Sequence, residues 1–143
     1  MDKKEKIIWT DKFSIGDSKI DSEHKKLIEI INDLIALVEL NKSHEEFAII
    51  LSKMTDYSLF HFKKEEDFMR RFAYPDLIKH HNYHRDYIYK VAMFNFELSS
   101  NNPPNPSDII LFLEMWWKNH ILTIDKDYEA YKNKIQTDVT YDE

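Results

Sequence analysis

The chain contains no cysteine, which excludes disulfides, thiolate zinc sites, iron–sulfur clusters and cysteine nucleophiles. Any metal it binds must be held by nitrogen and oxygen. Glycine is almost absent, with one in 143 residues, and β-rich folds consume glycine in their turns, so the scarcity points away from sheets. Net positive charge is missing too. A formal charge of −6 argues against a duplex-binding module, which carries a basic face. The short basic pairs Lys63-Lys64 and Arg70-Arg71 sit among acids and read as solvated helix surface. No apolar run approaches the length of a membrane span. Ile7, Ile8 and Trp9 fall far short of the apolar core of a signal peptide. The expectation is a soluble, cytoplasmic protein that engages neither nucleic acid nor membrane.

What the chain does have is helical periodicity. Its length fits one domain, residues 1–143, large enough to bury a core without help from a metal. Residues 1–19 read as an extended arm tacked down by Trp9, Phe13 and Ile15, with a turn at Gly16. A first helix over 20–40 carries apolar residues at 20, 27, 28, 31, 34, 35 and 38, the 3.6-residue rhythm. Ser43, with Glu46 three residues on, forms a capping box that opens a second helix over 44–72. Phe47, Ile50, Leu51, Met54, Leu59 and Phe62 should face inward from it. Tyr74-Pro75 ends that helix and starts a third over 75–98. The Pro/Asn-rich stretch 99–106 cannot be helical. Ser107 should cap a fourth helix over 107–135, and the acidic tail from Asp138 should fray. Four helices with two short connections and one longer one predict an all-α fold: an up-down-up-down antiparallel four-helix bundle with an N-terminal arm.

The chemistry lies in histidines and carboxylates at helical spacing. Positions four apart on an α-helix lie about 40° apart around the axis, so His61/Glu65 and His80/His84 are each a converging pair. His24 adds a donor from the first helix. His120 and Asp125 differ by five residues, an offset of about 140° on an ideal helix. That pair converges only if the aspartate reaches a different side of a site wide enough for two metals. A histidine alone on a helix is usually an ordinary surface or hydrogen-bonded residue. His44, in a first turn, and His81, about 100° around from His80, are read that way. The remaining donors fall at a common level once the helices alternate in direction. Seven donors exceed what one tetrahedral zinc accepts, and suit two octahedral metals bridged by carboxylates. A nitrogen-rich set favours iron, copper, nickel or zinc over magnesium or calcium.

Taken together, these segments resemble the hemerythrins, the bacterial ones in particular. The likeness runs over nearly the whole chain: Trp9, Ile20-Asp21-Ser22-Glu23-His24-Lys25-Lys26-Leu27, Asn32, His61-Phe62-x2-Glu65, Tyr74-Pro75, His80-x3-His84 and Trp116-x2-Asn119-His120-Ile121-x3-Asp125. The resemblance implies two iron ions sharing a solvent-derived oxo or hydroxo bridge. One would be held by His80, His84 and His120 and be coordinatively full. The other would be held by His24 and His61 with one position open, and Glu65 and Asp125 would bridge both. Two ferrous ions less two carboxylates and one hydroxide leave a formal charge of roughly +1, which a dry apolar interior tolerates. The implied function is reversible dioxygen binding for storage, delivery or sensing, without catalysis. Leu27, Phe62, Trp116 and Trp117 would wall the open position. Hemerythrins commonly have leucine three residues before the fourth-helix histidine. This chain has Trp117 there, a bulkier group that would either narrow the oxygen path and slow release, the favoured expectation, or simply point elsewhere. Two other functions compete. A di-iron oxidoreductase acting on peroxide or nitric oxide would need an acid, base or substrate pocket that the sequence does not show. A metal-free structural bundle would be indifferent to loss of His61 or Glu65.

Overall fold

The computed structural model describes residues 5–141, so positions 1–4 of the expected arm and 142–143 of the tail lie outside the described residues. Helix α1 is Ser18–Glu39, α2 His44–Arg71, α3 Leu77–Glu97 and α4 Pro106–Asn119. The fourth rod continues through a π-helical turn, His120–Asp125, into α5, Lys126–Lys134. Helix α1 packs against α2 and α4, and α2 packs against α3. Aromatic pairs close the remaining face, with Tyr87 and Trp116 at 4.3 Å between ring centroids and Phe94 and Phe112 at 5.7 Å. This is the up-down-up-down bundle. No helix among the described residues is long and apolar enough to cross a membrane.

Local chemistry places the helix ends. Helix α1 starts two residues before the expected boundary because the Asp17 side chain accepts the N–H groups of Lys19 and Ile20. Gly16, at φ +93°, supplies the left-handed turn that leads into it. Ser43 Oγ accepts the Glu46 N–H at 3.1 Å, as the capping box predicts. At the other end of α2, Ala73 adopts φ +54° and the Tyr74 N–H bonds back to the Met69 carbonyl at 2.9 Å. That cap and the turn through Pro75 delay α3 to Leu77. The fourth rod also departs from expectation. Asn105, not Ser107, is its cap, accepting the Ser107 N–H at 2.9 Å, and Pro106 takes the first helical position. Proline suits that position because its fixed φ is helical and the missing N–H has no intrahelical partner there.

The apolar face of α1 is buried as its periodicity requires, from Ile20 through Leu27, Ile28, Ile31 and Leu34 to Ile35. In α2 one expectation fails: Leu59 is 49% exposed. Ser58 takes the inward position, because Leu51, Met54, Ser58, His61, Phe62, Glu65 and Phe68 keep the i, i+3, i+4 rhythm and Leu59 is out of step. The Ser58 hydroxyl donates to the Met54 carbonyl at 2.7 Å, so the serine is buried without an unmet polar group.

The arm is held as expected. Phe13 and Ile15 are buried, Trp9 lies 5.5 Å from the Phe13 ring, and Asn32 exchanges two hydrogen bonds with the Ile7 backbone at 2.8 and 2.9 Å. Residues 138–141 of the acidic tail are not frayed. Tyr141 is 2% exposed, and Arg71 donates to the carbonyls of Thr140 and Tyr141 at 2.8 and 3.2 Å. An aromatic side chain near the end of an acidic tail can be anchored by burial even where its neighbours are solvated.

Candidate metal centre

All seven singled-out donors converge in the bundle interior, and each is at most 2% exposed. They fall into two sets. His80, His84 and His120 gather around one Glu65 oxygen, while His24 and His61 gather with Glu65 and Asp125; within each set the donor atoms lie within 4.8 Å of one another. All five imidazoles point Nε2 inward. Glu65 Oε1 lies 3.1 Å from His80 Nε2 and 3.0 Å from His84 Nε2, while its Oε2 lies 3.2 Å from His61 Nε2. Asp125 Oδ1 lies 3.2 Å from the Nε2 atoms of both His80 and His120, and its Oδ2 lies 3.1 Å from His24 Nε2. Each carboxylate therefore turns one oxygen toward each set, the arrangement of a bridging ligand.

The awkward five-residue spacing of His120 and Asp125 is resolved by the backbone. Residues 120–125 form a π-turn, whose i→i+5 bonding brings residues five apart onto one face. The local sequence favours the departure. Ile121, Thr123 and Ile124 are β-branched, and Thr123 Oγ1 donates back to the Asn119 carbonyl at 2.6 Å, competing with the regular ladder. The sequence-level alternative, an aspartate reaching across to another side, is replaced by a helix that locally widens.

A cation fits this donor set. The His120 Nε2 lies 3.1 Å from the Nε2 atoms of both His80 and His84. Three inward-facing imidazole nitrogens so close together repel one another through their lone pairs unless a proton or a metal ion sits between them. Among the described residues, both Asp125 oxygens, both His24 nitrogens and His61 Nε2 are buried without a hydrogen bond. Buried carboxylate oxygens left so are costly, and a metal removes the cost.

The comparisons with known proteins agree. The sequence model for the hemerythrin HHE cation binding domain matches residues 16–131. A bacteriohemerythrin of Clostridium acetobutylicum is 33% identical over 126 residues, covering 85% of this chain and 98% of that protein. A hemerythrin-like protein of Naegleria gruberi is 27% identical, over 85% of this chain and 90% of its own. The crystal structure of wild-type hemerythrin superposes with a TM-score of 0.79 at 26% identity, covering 87% of this chain and 95% of that one.

The chain belongs to the hemerythrin family. The two clusters of donors suit the di-iron cofactor typical of bacteriohemerythrins.

Around this hemerythrin site lies a shell of carboxylates that the sequence did not single out. The His61 Nδ1–H donates to Glu23 Oε1 at 2.7 Å, and the His84 Nδ1–H donates to Glu66 Oε2 at 2.7 Å. Such partners fix the tautomer and leave Nε2 free for metal. The signal was faint: each acid sits beside a predicted donor, Glu23 before His24 and Glu66 after Glu65, rotated toward the neighbouring helix. His81 is exposed, as expected of a non-ligand, yet its Nδ1–H donates to the other Glu66 oxygen at 2.6 Å. Tyr128, three residues past Asp125, donates to Glu65 Oε2 at 3.1 Å. His44 is exposed at the start of α2.

Burial opposes ionisation throughout the site, yet opposite charges prevail. Glu65 is held well below the usual carboxylate range by His61, His80 and His84, whose Nε2 atoms lie 3.0–3.2 Å from its oxygens. Asp125 is likewise well below it, despite burial and the Glu65 charge, because of His120 and His24. Against the effect of burial, Glu65, Glu23 and Asp125 push His61 up to about 9, and Asp125 and Glu65 push His80 up to about 10. His120 moves the other way, lowered by burial and by the neighbouring His84 and His80.

The expected apolar wall divides by position. Phe62 stacks face to face on His84 at 3.7 Å and on Trp117 at 5.5 Å. Trp116 stacks on the His120 ring at 4.3 Å. Trp117 wedges between the two sets, 6.5 Å from His24, 6.1 Å from His61 and 6.2 Å from His120, with its Nε1–H on the Tyr87 hydroxyl at 3.0 Å. Leu27 is fully buried one turn along α1 from His24.

Proposed function

We propose that this protein reversibly binds dioxygen, with His80, His84 and His120 holding one iron, His24 and His61 holding the other, and Glu65 and Asp125 shared. The observation that supports the reading is the unequal pair of donor sets, three imidazoles in one and two in the other, with Glu65 common to both and an oxygen of Asp125 turned toward each. Iron, when bound, supplies the electrons and the coordination position through which oxygen is taken up and released. The protein's part is to make the two positions unlike. The His80–His84–His120 set offers one imidazole more than the His24–His61 set, so a metal held by His24 and His61 would be the one left with room for a further ligand. Trp117 and Phe62 keep water from it. Glu23 and Glu66 hold the rings at fixed angles. Membership of the family supports binding without turnover. A cytoplasmic setting, where reductants keep iron ferrous, is part of the same proposal.

Metal analysis of the purified protein, with visible spectra taken with and without oxygen, tests the reading. About two irons per chain and an absorption band that appears with oxygen and vanishes on its removal are expected. A metal-free protein that stays colourless after anaerobic reconstitution with Fe²⁺ overturns it. Sustained consumption of peroxide or nitric oxide under a steady electron supply favours the oxidoreductase instead.

Metal entry should also release protons. With no metal present His61 titrates at about 9 and His80 at about 10, so both rings are protonated at pH 7 and both must be neutral to ligate. Loading the site at pH 7 is expected to release about two protons from these rings, beyond any released by water that forms a bridge, read as the dependence of the calorimetric binding enthalpy on buffer ionisation enthalpy. No buffer dependence would show that the donors are already neutral.

A further inference from the structure

The C-terminal segment lies outside the family match, which ends at residue 131, yet it reaches the site. Gln136 adopts φ +52°, which lets the chain reverse after α5. Tyr141 then packs onto α2, edge-on to Phe68 at 5.3 Å and with the Lys64 ammonium 4.6 Å from its ring centroid. Its hydroxyl donates to Glu23 Oε1 at 2.7 Å, the same oxygen that accepts the His61 Nδ1–H, and lies 3.4 Å from that nitrogen. Lys64 holds the other Glu23 oxygen at 2.7 Å. Glu23 is thus fixed on both oxygens, and one of its two fixed points depends on the tail.

We propose that residues 137–141 form a strap in which Tyr141 is a positioning residue: its hydroxyl fixes Glu23, Glu23 fixes the His61 ring, and the strap thereby sets the metal affinity of the His24–His61 half of the centre without setting that of the other half. The inference rests on the ligand assignment proposed above. The selectivity follows from the contacts. The imidazole supported on the opposite side, His84, is held by Glu66, whose second partner is His81 on the surface. Loss of an outer partner of a ligating histidine typically weakens metal binding by about 10- to 100-fold.

The test uses metal-free protein titrated anaerobically with Co²⁺. Tyr141→Phe keeps the ring and its packing and removes only the hydroxyl. It is expected to weaken one of two binding steps by about tenfold and leave the other unchanged. Glu66→Gln should weaken the opposite step. In the metal-free protein, the His61 Nδ1 proton, followed by NMR, should exchange with solvent about tenfold faster in Tyr141→Phe, a change that lost packing alone would not produce. A chain ending at residue 136 should reproduce the pattern. Unchanged Co²⁺ affinities in Tyr141→Phe, or equal weakening of both steps, overturn the strap. If the protein takes up metal but no oxygen, the oxygen-binding reading fails while the strap is still decided by the affinity and exchange measurements.

Discussion

Asp125→Ala is expected to leave less than one iron per chain and to abolish the oxygen-dependent absorption. Asp125, like Glu65, turns its two oxygens toward different sets, 3.2 Å from His80 and His120 on one side and 3.1 Å from His24 on the other. Removing it takes a ligand from both irons at once. It also takes one of two fully buried negative charges from a site that must hold two dications, and uncompensated charge in a dry interior costs several kcal/mol per ion. Outer partners of ligands are worth about 10- to 100-fold in affinity, so a shared direct ligand should be worth at least about 100-fold per metal. Iron content after gel filtration reads the effect. Asp127→Ala, two residues on and exposed, should keep both irons. Retention of two irons by Asp125→Ala would remove the aspartate from the centre.

Trp117→Leu is expected to speed oxygen release and autoxidation by roughly tenfold, the effect of lowering an escape barrier by about 1.4 kcal/mol. The indole is 1% exposed and lies within 6.5 Å of rings from both donor sets. A leucine leaves space there beside the His24–His61 side. The same space has a thermodynamic cost. Large-to-small core substitutions of this kind destabilise by about 1–3 kcal/mol, a fall in Tm of roughly 5 °C for a chain of this length. The Tyr87 hydroxyl keeps Ser58 as a partner at 3.2 Å, so no buried polar group is orphaned by the change. Trp116→Leu separates the roles, since Trp116 is only partly buried and stacks on the outer side of His120. It should change exchange rates less. If Tm falls in Trp117→Leu while both rates stay within about twofold of the parent, well under the expected step, Trp117 is packing and nothing more.

Helix number, order and approximate length were legible because each helix carries its own apolar rhythm and its own end signals. Ser43 marks its boundary correctly, and the α1 face from Ile20 to Ile35 is buried as read. Errors arose where two local solutions compete within one turn. Asn105-Pro106 outbids Ser107 as the start of the fourth rod, and Ser58 takes the inward place assigned to Leu59. Hydrophobicity alone cannot settle such cases, because a serine that bonds its own helix carbonyl is buried at little cost.

The sequence by itself determined the chemistry of this hemerythrin. Histidine and carboxylate at four-residue spacing on separate helices, with no cysteine, can build only a nitrogen- and oxygen-ligated centre inside a bundle. Only the tertiary structure decided how the donors are shared and supported. It supplied the π-turn that brings Asp125 beside His120, the opposite facing of the two oxygens on each carboxylate, and the contacts of Glu23, Glu66 and Tyr141 with the metal-facing rings. The reason is physical: spacing fixes the direction of a side chain relative to its own helix axis. Which atoms meet depends on how rods and tail from distant parts of the chain pack, and on where one helix yields its regular hydrogen bonding to let them meet.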